Sequence, residues 1–386
     1  MKAVKFVIVT ALIAALASCG APGGGGGSNL LPGETITGAT GSVKVALLLP
    51  ISAPGSASSV AKALKQAAEL ALFDFDNPDI SLVPKDTMGT PNGARAAAQS
   101  AVKDGAELII GPLFAQEVSA AAQVARSAGI PMIAFSSDEK VAGNGVYLLS
   151  FLAGRDVPRI VSFAMSRGKW NFAVLVPQTA YGRIAEAAFA KAVASGGGSA
   201  PVRASFSGSN MDAAVKQVAS AVQAGQRIDA LFLPASQEEL PRLAPQLAAA
   251  GLTSAKVQFI GTGQWDYANV GSQQALVGGW YPAPDPKGWN SFAGRYAKTF
   301  GGTPPRIASL GYDAMSLAVS LSQNPPGQRY SFSQLTRPSG FAGVDGLVRL
   351  LPDGTSERGL AILEVRPGSP SVISPAPRSF STASSY

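Results

Sequence analysis

From residue 43 onward, the chain alternates between two hydrophobic patterns. Short apolar runs such as Val43–Leu49 (VKVALLL) are typical of buried strands, whereas the Ala-rich stretch 58–75 repeats apolar residues at helical spacing. The pattern predicts strands at Val43–Leu49, 80–83, 107–110, 131–135, 146–151, 172–176, 202–206, 230–233 and 257–260. It predicts helices at 58–75, 92–103, 117–127, 156–167, 184–194, Met211–Gln223 and 237–250. This order predicts an α/β fold of mostly parallel sheets flanked by helices.

The alternation runs through two successive units, which predicts two similar lobes facing a shared cleft. Ligands of open α/β sheets bind outside the carboxyl ends of the strands, where the residues here are small, polar or aromatic. The alternative for each of these positions, taken singly, is an ordinary turn residue. For Tyr181 the alternative is a residue packed at the start of a helix. We predict Trp265 to line the cleft. The predicted ligand-binding residues are Ser52, Phe114, Ala115, Ser136, Ser137, Tyr181, Ser236, Gln264 and Trp265.

The first 18 residues have the layout of a secretory signal peptide, with Lys2 and Lys5 before an apolar run too short to span a bilayer. The stretch LASC at residues 16–19 ends at Cys19 and resembles the bacterial lipobox, whose cysteine carries a lipid. The alternative is an ordinary signal peptide with an incidental cysteine. Residues 19–42, rich in Gly and Ser, are predicted to form a flexible tether. Gly20 after the cysteine resembles lipoproteins that are sent to the outer membrane.

Composition argues against most enzyme classes. The chain of 386 residues has no histidine and one cysteine, which removes Ser-His-Asp and Cys-His machinery and the usual zinc ligands. The net charge of +7 is spread among only 14% charged residues, without the basic clusters that bind nucleic acid. A Ser-x-x-Lys pattern at Ser59–Lys62 occurs three more times by chance, so it does not indicate a hydrolase. We expect no cofactor, no metal and no catalytic activity.

Six stretches carry a resemblance to a known family: VKVALLLPIS, the IIGPLFA turn, AGIPMIAFSS, FAVLVPQTAYGR, SLGYDAMSLA and FAGVDGLVRLLPDG. They resemble the leucine-binding-protein family of periplasmic solute-binding proteins, which has the type I fold. The resemblance extends from Val43 to Val365. It implies hinge closure around a ligand and three crossings between lobes, near residues 151–158, 278–286 and 341–346. The implied organisation is lobe I at 43–153 and 284–341, lobe II at 154–283 and 342–367, and a disordered tail at 368–386.

Two departures from this family bear on function. Where its amino-acid-binding members offer a first-lobe serine after Gly-Pro, this chain has Phe114-Ala115, and their second-lobe acid aligns with Gly263 or Gln264. A buried ammonium without an anionic partner is costly, so an amino acid is expected to bind only if Asp266 or Glu238 substitutes. The expected function is non-enzymatic binding of a small polar ligand for an ABC transporter permease. The alternative is a lipoprotein resembling penicillin-binding protein activators, whose partner is a cell-wall synthase.

Overall fold

The computed structural model describes residues 36–37, for their backbone only, and residues 43–75 and 78–380. Its first sheet has the strand order β1-β3-β2-β4-β5-β6 and is parallel except for β1. Helices cover both faces, which is why the strands are continuously apolar. The elements are β1 (Ile36–Thr37), β2 (Val43–Leu49), α1 (Ser56–Asp74), β3 (Ile80–Asp86), α2 (Pro91–Lys103), β4 (Leu108–Ile110), α3 (Ala115–Ser127), β5 (Met132–Ala134) and β6 (Val146–Leu148).

The second sheet repeats this arrangement with a different set of residues. Its elements are α4 (Val157–Ser166), β7 (Asn171–Pro177), α5 (Ala180–Gly196), β8 (Ser199–Phe206), α6 (Met211–Gln223), β9 (Ala230–Phe232), α7 (Leu240–Ala249), β10 (Gln258–Ile260) and β11 (Trp280–Ala283). These five strands are parallel, in the order β11-β10-β9-β7-β8. The alternation of short strands and amphipathic helices thus produces the two-lobed architecture that the sequence predicts.

The chain then returns to the first lobe and later to the second. The remaining elements are α8 (Pro286–Phe300), α9 (Ala308–Ser322), α10 (Phe332–Leu335), β12 (Phe341–Gly343), β13 (Gly346–Leu350), β14 (Ser356–Arg358), β15 (Ala361–Glu364) and β16 (Ser371–Ser374). Helix α9 packs closely on α1, because Gly311 has no side chain. A Cβ there would lie 2.4 Å from the carbonyl oxygen of Leu64.

The third crossing differs from the sequence-based expectation. The chain passes from β6 to α4, from β11 to α8, and finally from β14 to β15 at Gly359–Leu360, not at 341–346. The reason is packing: Phe341, Val348 and Leu350 belong to the core of the first lobe. Strands β12, β13 and β14 form a small antiparallel sheet there, and the Leu148 N–H donates to the Gly354 carbonyl at 2.7 Å. Residues 342–358 therefore belong to lobe I, and lobe II resumes at β15.

Two segments expected to be irregular contribute strands. Within the predicted tail, β16 pairs antiparallel with β15 and forms the edge of the second sheet. Within the predicted tether, Ile36–Thr37 pairs antiparallel with β3 at the edge of the first sheet. Both strands cover an edge that would otherwise present open backbone hydrogen-bonding groups.

The predicted signal peptide and Cys19 lie outside the described residues. Within the described part of the chain, no helix has the length and apolar character to cross a membrane.

Candidate functional site

The predicted site residues lie on loops at the carboxyl edges of the two sheets. Ser52, Phe114–Ala115 and Ser136–Ser137 follow β2, β4 and β5 of the first lobe, and Tyr181, Ser236 and Gln264–Trp265 follow β7, β9 and β10 of the second. Because parallel strands end at a common edge, each set of loops comes together on its own lobe. The two sets differ in chemistry.

In the second lobe, Tyr181 is bound to a buried threonine. The Tyr181 hydroxyl donates to Thr262 Oγ1 at 2.7 Å. Thr262 follows β10 in the chain and is fully buried. Burial, with a smaller contribution from the nearby Asp156 carboxylate, raises the pKa of Tyr181 well above its usual value. The half-buried ring packs beside the core that α4 and α5 form with the sheet. Tyr181 is therefore a neutral hydrogen-bonding group with a fixed orientation.

Asp156 is the functional candidate that the sequence reasoning missed. It lies at the first crossing, directly before α4, and its Oδ2 accepts a hydrogen bond from the Gly263 N–H at 2.6 Å. Burial raises its pKa, although the N–H groups of Gly263, Asp156 and Val157 act in the opposite direction. Among the described residues, no basic side chain forms an ion pair with Asp156. The only sequence signal was an acid at the start of a helix inside a predicted crossing.

Trp265 was wrongly predicted to line the cleft. Its side chain is 0% exposed and belongs to the core of the second lobe, where its indole N–H donates to the Leu233 carbonyl at 3.1 Å. The indole fills space left by two glycines: a Cβ at Gly261 would approach it to 2.3 Å, and one at Gly279 to 2.8 Å. The neighbouring Gln264 is exposed.

Neither proposed substitute for the family acid matches Asp156 in its surroundings. Glu238 is fully exposed, and hydrogen bonds from Ser236 and Gln237 lower its pKa. The Ser236 N–H in turn donates to Glu239 at 2.9 Å, so Ser236 is occupied within its own loop. Asp266 is exposed at the surface. Desolvation by the surrounding protein nevertheless raises its pKa, and the nearby Arg306 opposes this rise.

In the first lobe, two carboxylates organise the loops. Asp86 Oδ1 accepts from the Ser52 N–H at 3.2 Å and from the Met88 N–H at 2.9 Å. Burial alone would raise the pKa of Asp86, but hydrogen bonds from the Ser52 hydroxyl and these N–H groups lower it. Buried Glu117 accepts from the Thr87 hydroxyl at 2.5 Å and from the Phe114 N–H at 3.2 Å, and burial raises its pKa.

The two predicted serines after β5 differ in accessibility. Ser136 is buried, and its hydroxyl oxygen accepts from the Asp138 N–H at 3.1 Å. Ser137 is exposed, and its side chain makes no hydrogen bond within residues 43–75 and 78–380. Ala115 is half-buried, whereas Phe114 is exposed.

Within residues 43–75 and 78–380, no three His, Cys, Asp or Glu side chains are grouped so as to hold a metal ion.

Two buried carboxylates support the turn between β12 and β13. Asp313 Oδ1 accepts from the Val344 N–H at 2.6 Å, and Asp313 Oδ2 lies 3.6 Å from a guanidinium nitrogen of Arg358. Asp345 accepts from the Ser309 hydroxyl at 2.7 Å and pairs with Arg306 at 2.6 Å. Burial raises the pKa of Asp313, with Arg358 opposing and Asp345 adding to the shift. The pairs hold the segment that precedes the third crossing.

Comparison with known proteins relates this geometry to a family. The family model for periplasmic binding proteins matches residues 42–369. A Rhodospirillum rubrum protein assigned to branched-chain amino acid ABC transport superposes with a TM-score of 0.76 at 20% identity, covering 86% of this chain and 100% of that one. A Rhodopseudomonas palustris solute-binding protein of an ABC transporter, solved with 3,4-dihydroxybenzoic acid, has a TM-score of 0.57 and 22% identity over 87% and 96% of the two chains.

A further solved structure is the branched-chain amino acid substrate-binding protein LivJ of Streptococcus pneumoniae, in complex with isoleucine. It has a TM-score of 0.54 at 18% identity, covering 86% of this chain and 100% of that one. At these identities the likeness shows a shared fold. No curated protein matches the chain in sequence.

Proposed function

Because the chain belongs to the periplasmic binding protein family, we propose that it is the extracytoplasmic binding component of an ABC transporter and closes its cleft on a small polar ligand. Its structural relatives include transporter proteins solved with isoleucine and with 3,4-dihydroxybenzoic acid. Such ligands are of the size that a cleft between two lobes encloses.

The observation that carries this proposal is the Asp156 carboxylate beside Gly263. A partly desolvated carboxylate without a basic partner is stabilised when a cation reaches it, because burial disfavours the charged form. A ligand ammonium would supply that charge, and the Tyr181 hydroxyl lies in the same cluster. Asp156 therefore fills the role of the acid that is missing at Gly263 and Gln264, and the ligand carries an amine.

We also propose that the protein is held at a membrane by a lipid on Cys19, and that Gly20 directs it to the outer membrane. Labelling cells with radioactive palmitate tests the anchor. Label should enter the native protein and be absent from a Cys19→Ala variant. Equal labelling of the two, or none in either, would contradict the anchor.

Ligand-induced thermal stabilisation tests the binding function. Purified protein should shift its melting temperature with at least one compound from a panel of amino acids, amines and aromatic acids, and Asp156→Asn should remove that shift. The matched control is Asp212→Asn, since Asp212 is an exposed acid on α6 that pairs with Lys216 of the same helix. Asp212→Asn should leave the shift intact.

Cross-linking in cells tests the transporter partner. Capture of a transporter permease supports the proposed role. Capture of a cell-wall synthase without any permease would contradict it and favour the penicillin-binding protein activator alternative.

A further inference from the structure

We propose that the first-lobe side of the cleft is an apolar subsite formed by Phe114 and Met88, which receives an uncharged aromatic or aliphatic group of the ligand and not a carboxylate. This inference rests on the proposed binding function and specifies its ligand class. With the acid of the second lobe, it describes an amine that carries an apolar group.

Both side chains are exposed at the carboxyl edge of the first sheet. Phe114 is 42% exposed after β4, and Met88 is 59% exposed after β3. Strands β3 and β4 flank β2, and Glu117 bonds both to the Thr87 hydroxyl, next to Met88, and to the Phe114 N–H. The two apolar side chains are thus attached on either side of one buried carboxylate. A single exposed apolar residue is ordinary, but two held together at a ligand-binding edge form a surface.

The loop that presents Met88 is held in a conformation that its residue type does not favour. Met88 has a φ of 56°, the left-handed region that a non-glycine residue with a long side chain rarely adopts. The Asp86 carboxylate fixes this turn through the Met88 N–H and also binds the loop of Ser52. Strained backbone of this kind is retained where the surrounding structure fixes it, and such positions cluster at ligand sites. Here the conformation places an apolar side chain at the edge of the sheet.

The same carboxylates make this side of the cleft unfavourable for an anion. Glu117 lies at the N-terminal end of α3 and accepts from the Phe114 N–H, so this donor is already bound. Among the described residues, neither Glu117 nor Asp86 forms an ion pair with a basic side chain. A ligand carboxylate placed here would be repelled by Asp86, whose pKa is lowered, and would find the helix N–H already occupied by Glu117. An apolar group would instead cover Phe114 and Met88 and remove apolar surface from water.

Two substitutions separate the subsite from the stability of the fold. Phe114→Ser places serine at the N-cap of α3 three residues before Glu117, which completes a capping box and should keep or raise the melting temperature. Met88→Gly removes the side chain from a position whose positive φ suits glycine, so it should also leave the fold intact. Both variants should lose affinity without losing stability.

The experiment is calorimetry on the full chain with two matched probe pairs: phenylalanine with phenethylamine, and isoleucine with 2-methylbutylamine. In each pair the second compound lacks the carboxylate. The native protein should bind each amine at least about tenfold more tightly than its amino acid, and each variant should bind the amines about tenfold more weakly than the native protein does.

The outcomes distinguish this inference from the proposed function. Tighter binding of the amino acids than of the amines, or unchanged amine affinity in both variants, would overturn the apolar subsite and leave the binding function standing. No binding of any of the four probes to the native protein would overturn the apolar subsite for amines, and a thermal shift with another compound of the wider panel would leave the binding function standing. If one variant has a low melting temperature, the amine affinity of the other variant tests the subsite, because the two substitutions lie on different loops.

Discussion

The Asp156 carboxylate accepts a hydrogen bond from the Gly263 N–H at 2.6 Å, across 107 residues of sequence. The bond joins the first crossing between the lobes to the loop that follows β10. It places a carboxyl group beside an exposed glycine, which has no side chain to intervene. Under the proposed function, Asp156 supplies the acid that is missing at Gly263 and Gln264.

Binding of amine ligands should depend on pH through Asp156. Burial raises the pKa of this carboxyl, so protonation on acidification begins at a higher pH than for an ordinary aspartate. Affinity for an amine should fall as the pH decreases through the raised pKa of Asp156, because the protonated carboxyl no longer attracts the ammonium. Asp156→Asn should bind weakly at every pH. Tryptophan fluorescence titrations at a series of pH values measure this, and a pH-independent native affinity would contradict the role of Asp156.

Trp265 should contribute to stability rather than to ligand contact. Trp265→Ala should lower the free energy of unfolding by about 3–5 kcal/mol, since it leaves a cavity in a packed core and removes the bond to Leu233. Trp170→Ala is the matched control, because the Trp170 side chain is 44% exposed, and it should cost about 1 kcal/mol or less. Urea unfolding compares the two. Equal losses would contradict the core assignment.

Asp313 should make stability fall with rising pH. Its pKa is raised in the folded protein, so between the ordinary value and the raised one the native state holds a proton that the unfolded chain has released. The free energy of unfolding therefore decreases as the pH rises through this window. Asp313→Asn should flatten the decrease, although it also leaves Arg358 without its carboxylate partner. Urea midpoints across the window, with Asp212→Asn as control, should show the flatter dependence only for Asp313→Asn.

Two helix glycines should respond oppositely to alanine. Gly311→Ala forces a Cβ to within 2.4 Å of the Leu64 carbonyl oxygen and should destabilise the protein by about 1–3 kcal/mol or more. At Gly294 on α8, a Cβ would have no atom within 4 Å, so Gly294→Ala should stabilise the protein by about 0.5–1 kcal/mol. Thermal unfolding measures whether each substitution raises or lowers the stability of the protein. A stabilising Gly311→Ala would mean that α9 does not pack on α1 as described.

The sequence was sufficient to predict the order of strands and helices from β2 to β10, because buried parallel strands and amphipathic helices differ in the period of their apolar residues. It was insufficient for Trp265, since its burial depends on how closely Gly261 and Gly279 approach the indole, which the fold determines. Asp156 was missed for the same reason: its partner is a backbone N–H far along the sequence.

Short segments were the other source of error. The third crossing was placed too early because β12, β13 and β14 are brief strands whose lobe is decided by packing of Phe341 and Val348. Strand β16 lies in a stretch rich in Ser and Pro, and it is ordered by pairing with β15, which composition does not reveal.

The position of β2 within the first sheet has a mechanical consequence. Val43 begins this strand, which has a paired strand on each side. If the proposed lipid is attached to Cys19, the chain from it reaches the body of the protein through β1 and β2, which both belong to the first sheet. The proposed anchor would therefore restrain the first lobe directly, and closure of the cleft would displace the second lobe relative to it.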